Sequence, residues 1–414
     1  MTVHPSLQGS TGSAVKTHNL RAILLALLNA EHISRVHLAQ LTGLSTTTIT
    51  NLISELIEQG IVIEEGTEKS LQPRGVGRPR TALRLVPEAR YAIGIHIGVG
   101  SIRVALADLR ANLGQVHLLA HPLVKTAEEV LAEVSKLVDH AIEVSTVDIA
   151  QIVGIGVGAS GLVDPSTGVN LIAPNLGWRD VPIQDLCCAH LNLPVCVDNN
   201  VRAMALGEAM FGESREIQNL AFVYARIGVG AGFIMDGQLF RGSGAGAGEI
   251  GHTTMISEGG SPCRCGNQGC LETIVSEPVI LEQATDFAKQ DPGGDLAKHL
   301  KNGEILTLEQ VFETAHTGDH ATLAILEEKG RYMGIALANL VNIFNPEAIV
   351  LGGIFAQGED LFLPGIEATM QERSFANLGK RVELRTASFG RNAGVVGAAA
   401  LALNAFFYQQ PESG

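Results

Sequence analysis

Apolar residues recur at helical spacing through the first sixty positions, then gather into short strand-like runs, so the chain reads as two unlike parts. Leu20, Ile23, Leu24, Leu27 and Leu28 share one face and predict a helix from about Val15 to Asn29. Ser34 is placed to cap a second, short helix, Arg35 to Leu41, which ends in the tight turn Thr42-Gly43-Leu44. Ser45 caps a third helix, Thr46 to Gln59, with Ile49, Leu52, Ile53 and Leu56 on its apolar side. Ile61-Val62-Ile63 begins a strand, and Thr81 to Leu85 can return beside it. Helix, helix-turn-helix and β wing together predict a winged helix-turn-helix domain over residues 15–88, behind a polar tail, 1–14.

From Tyr91 the pattern changes. Ala92–Ile97, Ile102–Asp108, Ile152–Val157, Val195–Val197, Asn219–Tyr224, Gly230–Met235 and Ala348–Leu351 are apolar strands, several of them running into glycine turns. Helices are expected over Ala127–Glu143 and, at the end of the chain, Val395–Phe407. Glycine turns after buried strands fit an α/β body of two similar lobes, residues 89–197 with 396–414 and residues 198–395, with a ligand cleft between them.

Charge refines this picture. The net charge of −14 argues against a nucleic-acid partner for the chain as a whole. The first 90 residues nevertheless carry nine Lys/Arg against seven Asp/Glu, and the basic residues bunch between Lys69 and Arg90. An acidic body with a small basic head can bind DNA locally. Thr46, Thr47, Thr48, Thr50 and Asn51, with the capping Ser45, lie on or near the exposed side of the third helix, where short polar side chains can reach base edges. Arg74, Arg78 and Arg80 alternate with Gly and Pro, a composition suited to minor-groove insertion, with a solvated flexible linker as the lesser alternative. Apolar runs break well before 18 residues and the N-terminus lacks a signal-peptide core, so a cytoplasmic protein is expected, without a membrane span.

Six cysteines fit that compartment. Cys187, Cys188 and Cys196 read as small buried residues or free thiols. Cys263, Cys265 and Cys270, with His252, make a complete ligand set for a tetrahedral structural zinc, and four protein ligands leave no open catalytic position. A disulfide is the alternative, but cysteines one residue apart bridge only with strain.

The metal-loop spacing, together with Gly156-Val157-Gly158, Ala173-Pro174-Asn175-Leu176, Asp198-Asn199-Asn200, Gly228 to Gly232, Asn345-Pro346-Glu347 and Leu351-Gly352-Gly353, resembles the ROK family of sugar kinases and sugar-responsive repressors. The Gly-Arg-Pro element after a winged helix is similar to the repressor branch. The resemblance runs from about Val15 to the C-terminus and implies an actin-like, sugar-kinase-like body. It also implies a sugar pocket built from Asn175, Asn199, Asn200, Glu249, His252 and Glu272. Carboxylates accept hydroxyl protons and amides both donate and accept, which suits a polyol.

Three positions depart from the kinases of the family. Asn200 stands where they carry the carboxylate base, His96 stands where an Asp helps place metal-ATP, and Ile227 stands where the second phosphate turn usually holds a Thr. An amide cannot take the sugar's proton, so no enzymatic activity is expected. The resemblance therefore implies a regulator, most naturally a repressor, that binds operator DNA as a homodimer or homotetramer and is released by a sugar or sugar phosphate. Its rivals are an active ATP-dependent sugar kinase with an appended head and a zinc-stabilised protein-docking module.

Overall fold

A computed structural model describes residues 12–67, 81–121, 126–300 and 306–409. The head has the expected elements, with helices Gly12–Asn29, Arg35–Thr42 and Thr46–Glu58. Ser34 and Ser45 both act as N-caps, accepting from the backbone N–H of His37 and of Thr48. Gly43 ends the second helix in the left-handed region, where a side chain would be strained. The wing strands are Val62–Thr67 and Thr81–Leu85, paired antiparallel, and Ile33–Ser34 adds a short third strand. The first wing strand starts one residue later than expected because Ile61 is still in the turn, its N–H bonded to the carbonyl of Leu56.

The body holds two five-stranded sheets of matching layout. In the first, Val195–Asn199, Ile152–Ala159 and Tyr91–Gly98 run parallel, and Ser101–Asp108 and His117–Ala120 continue antiparallel. In the second, Glu383–Thr386, Ala348–Gly353 and Leu220–Ala225 run parallel, followed by Val229–Met235 and Gln238–Phe240 antiparallel. Each sheet thus has an apolar strand turning through glycine into an antiparallel neighbour. A small three-stranded sheet, Leu162–Asp164, Val169–Ala173 and Trp178–Pro182, stands beside the first. The central strands are buried on both faces, which explains their unbroken apolar runs.

Two helices lie between the sheets. Asn200–Phe211 packs on the second sheet, Ala393–Leu403 packs on the first, and the two cross each other. The crossing depends on glycine. A Cβ on Gly397 would sit 2.5 Å from the backbone of Ala203, and one on Gly207 would sit 3.0 Å from Gly397. The terminal helix begins two residues before its expected start and loosens into a π-helical turn, Asn404–Tyr408.

That turn ties the body to the head. Phe407, Tyr408, Leu109 and Ala111 share one buried cluster with Leu20, Ile23, Leu24 and Leu27 of the first helix. The Tyr408 hydroxyl donates to the carbonyl of Leu109 at 2.5 Å. Arg110 donates to the carbonyls of Ala30 and Leu27, which places a cation at the negative end of that first helix.

Candidate functional site

A cavity of about 600 Å³ opens between the two sheets. Each predicted polar residue reaches it by a definable local route. Asn175 sits in the hairpin turn between Val169–Ala173 and Trp178–Pro182. Asn199 ends the strand Val195–Asn199, and Asn200 opens the following helix. Glu249 and His252 come from the short 3-10 turn after Gly248. Glu272 starts a one-turn helix behind the cysteine loop. All six line the same cavity.

Their side chains are not equally available. The Asn199 oxygen accepts from the N–H groups of Val201 (2.8 Å) and Arg202 (3.1 Å), and its amide donates to the carbonyl of Gly161 at 2.8 Å. Asn199 is thus largely spent on capping a helix and holding a loop. Asn200 is half-buried and has no hydrogen-bond partner among the described residues, so its amide faces the cavity free. Glu272 accepts from the N–H of Val229 at 3.0 Å, which fixes one oxygen and leaves the other for a ligand. Glu249 is open to the cleft, yet the surrounding walls displace enough water that burial pushes its carboxyl above the ordinary range. His252 and Arg202 pull it the other way, and Glu272 adds to the rise.

A buried ion network holds this wall. Arg202 donates to Asp198 at 2.7 Å, to the carbonyl of Val163 at 2.9 Å and to the carbonyl of Ala245, and Arg241 takes the second Asp198 oxygen at 2.8 Å. Each nitrogen of the buried guanidinium has an acceptor, which is the condition for tolerating such a charge.

Beside the cleft, the donor atoms of His252, Cys263, Cys265 and Cys270 all lie within 4.8 Å of one another. Cys265 Sγ and Cys270 Sγ are 3.8 Å apart, and Cys263 Sγ lies 3.7 Å from His252 Nδ1. A disulfide would need about 2 Å. Ligands at about 2.0–2.3 Å from one tetrahedral ion lie somewhat under 4 Å apart, so the four donors fit a shared metal. Nδ1 faces the thiols, and His252 also lines the cleft. Cys187, Cys188 and Cys196 are free thiols, and burial raises Cys187 and Cys196 to about 12.

Three cleft residues escaped sequence reasoning. Arg264, between Cys263 and Cys265, donates to Asn175 Oδ1 at 2.9 Å and so links the cysteine loop to the opposite wall. Trp178, the one tryptophan of the chain, is buried at the cavity wall, its indole N–H without a partner among the described residues. Arg226, in the second glycine turn, also lines the cavity. A lone Trp three residues beyond Asn175 was the available signal; the two arginines gave none.

In the head, Ser45, Thr46, Thr47, Thr50 and Asn51 are exposed on the third helix and Thr48 is half-buried. Ser45 and Thr48 bond to each other within the cap at 2.8 Å, and the Thr50 hydroxyl turns back to the carbonyl of Thr46. Thr46, Thr47 and Asn51 are the side chains left most open to a partner. Arg74, Arg78 and Arg80 lie outside the described residues.

The ROK family model matches residues 92–405, and a winged helix-turn-helix DNA-binding model matches residues 16–63. The chain belongs to the ROK family. It is similar to the xylose repressor of Caldicellulosiruptor bescii, 33% identical over 393 residues that cover 94% of this chain and 96% of the relative. Among solved structures it is similar to a ROK family transcriptional regulator homologous to the E. coli MLC protein. That match has a TM-score of 0.81 at 26% identity, covering 96% of this chain and 98% of that one. A ROK family glucokinase from Streptomyces griseus, solved with glucose and AMPPNP, matches with a TM-score of 0.68 at 29% identity, covering 76% of this chain and 99% of that one. This ROK protein therefore matches the regulator over its head and body and the glucokinase over a length that fits the body alone. No helix among its described residues is long and apolar enough to cross a membrane.

Proposed function

We propose that this ROK protein is a sugar-responsive, DNA-binding transcriptional repressor. The observation that carries the reading is the combination, in one chain, of a winged head with a sugar-kinase-like cleft that keeps Glu249, His252 and Glu272 but has Asn200 at the base position. The full-length similarity to proteins named as repressors supports it.

The third helix, through Thr46, Thr47 and Asn51, enters the major groove of an operator, and Arg74, Arg78 and Arg80 follow the adjacent minor groove. Two heads are needed for two half-sites, so the working unit is a homodimer or a dimer of dimers in the cytoplasm. The body divides into lobes near residue 197 and returns to the first lobe from about residue 396. Zinc at His252, Cys263, Cys265 and Cys270 supplies structural bonding only; the protein's own task there is to hold Glu249, Glu272 and Arg264 in register with the cleft.

A sugar seated between Asn175, Asn200, Glu249 and Glu272 draws the lobes together. Closure moves the crossed helices, and the terminal helix carries the change through Phe407 and Tyr408 to the first helix of the head. The sugar must bind the closed state more tightly than the open one, since only that difference shifts the equilibrium.

The kinase reading fails on chemistry. Asn200 cannot take a proton, and His96 offers no carboxylate to a metal-nucleotide. A coupled ATP-to-ADP assay with each sugar that raises the melting temperature should show binding without turnover. Turnover of about one per second or faster would establish a kinase instead.

A further inference from the structure

Arg202 lies behind the cleft wall, 1% exposed, and its nitrogens reach separate segments of the chain. Asp198 belongs to the strand that ends at Asn199, and Val163 belongs to the small three-stranded sheet. Ala245 belongs to the run 242–248, which follows the edge strand Gln238–Phe240 and leads into Glu249. One carboxylate, Asp198, is enough to neutralise a buried guanidinium. The carbonyls of Val163 and Ala245 are further chain that the flat fork of donors gathers to the same point.

The run 242–248 needs gathering. Residues 242, 244, 246 and 248 are all glycine, and such chain has little order of its own. Yet Ala245, in the middle, stands at φ 53°, in the left-handed region where a side chain is strained. Strain of that kind persists where surrounding contacts over-determine the backbone. Arg202 holds the Ala245 carbonyl, and Arg241, at the start of the run, is held in turn by Asp198 at 2.8 Å. At the far end the Gly248 carbonyl accepts from Ala231 at 2.7 Å, so close to that strand that a Cβ on Gly248 would lie 1.9 Å from the Ala231 oxygen.

Both cleft groups are near this grip. Arg202 follows Asn200 by two residues on one helix, and the carbonyl it holds precedes Glu249 by four. Burial raises the Glu249 carboxyl, and His252 and then Arg202 pull it down, so the guanidinium is near enough to be felt there. We propose that Arg202 is a positioning residue for the cleft: by holding the Ala245 carbonyl it sets the run 242–248, and through it Glu249, in register with Asn200. The proposal rests on the reading of the cleft as a sugar pocket. An ordered run presents Glu249 ready for a hydroxyl, whereas a loosened one must be ordered by the ligand at a cost in affinity.

The test joins two measurements on the full-length protein. Isothermal titration with xylose, glucose and N-acetylglucosamine compares the unmodified protein with Arg202→Met, Glu249→Gln and the double variant, each checked by circular dichroism. Arg202→Met should weaken the sugar that binds by at least tenfold. In the Glu249→Gln protein, which keeps the size of the side chain, the same change should cost less than twofold more, because Arg202 acts through Glu249. Losses that multiply in the double variant, or an unchanged affinity in folded Arg202→Met, would overturn the proposal. The second measurement is hydrogen exchange by mass spectrometry without sugar. Peptides covering 242–250 should exchange at least tenfold faster in Arg202→Met, with the cysteine loop 263–270 unchanged. Equal exchange over 242–250 would also overturn the proposal. Binding of none of the three sugars by the unmodified protein would count against the sugar reading, and exchange would still decide whether Arg202 holds the run. If Arg202→Met misfolds, Arg202→Lys takes its place: it keeps a charge for Asp198 but lacks the fork that reaches both carbonyls, and should show the same two effects, each at least threefold.

Discussion

His96 offers the sharpest quantitative prediction. Burial, reinforced by Arg103 and Arg226, lowers its pKa from 6.5 to about 4. The unfolded chain then takes the proton before the folded one does, so stability rises with pH across this window. It is complete above about pH 6.5 and lost as the pH falls towards 4. Each tenfold loss of proton affinity on folding is worth about 1.4 kcal/mol, so the full difference is about 3 kcal/mol, of which about 2 kcal/mol is gone by pH 5. The assay compares urea unfolding at pH 7 and pH 5 for the unmodified protein and for His96→Gln. Other titrating groups act on both proteins alike, so the unmodified protein should lose about 2 kcal/mol more than the variant. Proton–carbon NMR of labelled histidine gives an independent reading, with the His96 resonance identified by its absence in the variant. An imidazole that titrates near pH 6.5, or equal losses in the two proteins, would refute the buried neutral state.

Other expectations follow from single contacts. Freshly purified protein should contain one zinc per chain by mass spectrometry of the metal, and Cys265→Ser should release it and lower the melting temperature. Gly397→Ala should cost roughly 1–3 kcal/mol of stability, measured by denaturant unfolding, because its new methyl would meet the Ala203 backbone. Arg264→Ala should keep the metal yet weaken sugar binding up to about tenfold, the worth of one hydrogen bond holding Asn175, as read by the fluorescence of Trp178 at the cleft wall.

Most of the head was legible from the sequence because its signals are local. Ser34, Gly43 and Ser45 mark helix ends by their own side-chain and backbone chemistry, and the helices fall within a few residues of expectation. The cluster of His252 with three cysteines was legible because its four residues lie within nineteen positions. What the sequence hid depends on distant chain. The Arg264–Asn175 contact joins residues 89 apart in sequence, and nothing at either position announces the other. Asn199 lines the cleft, but the sequence did not show that its side chain also caps the next helix and bonds the carbonyl of Gly161. The matched layout of the two sheets was visible only as a repeated strand–glycine opening, because strand order is set by long-range pairing. Arg103 gave no signal because only the strand pairing brings it opposite His96.

The central claim is that a sugar in the cleft releases the head from DNA. It is tested most directly by fluorescence anisotropy on an operator fragment selected from a random pool, with and without the sugar identified by thermal shift. The unmodified protein should bind the fragment and lose at least tenfold in affinity when the sugar is added. Glu249→Ala and Glu272→Ala should bind the same fragment equally well and ignore the sugar. Operator affinity that the sugar leaves unchanged, or that it lowers as much in the two carboxylate variants as in the unmodified protein, would contradict the claim.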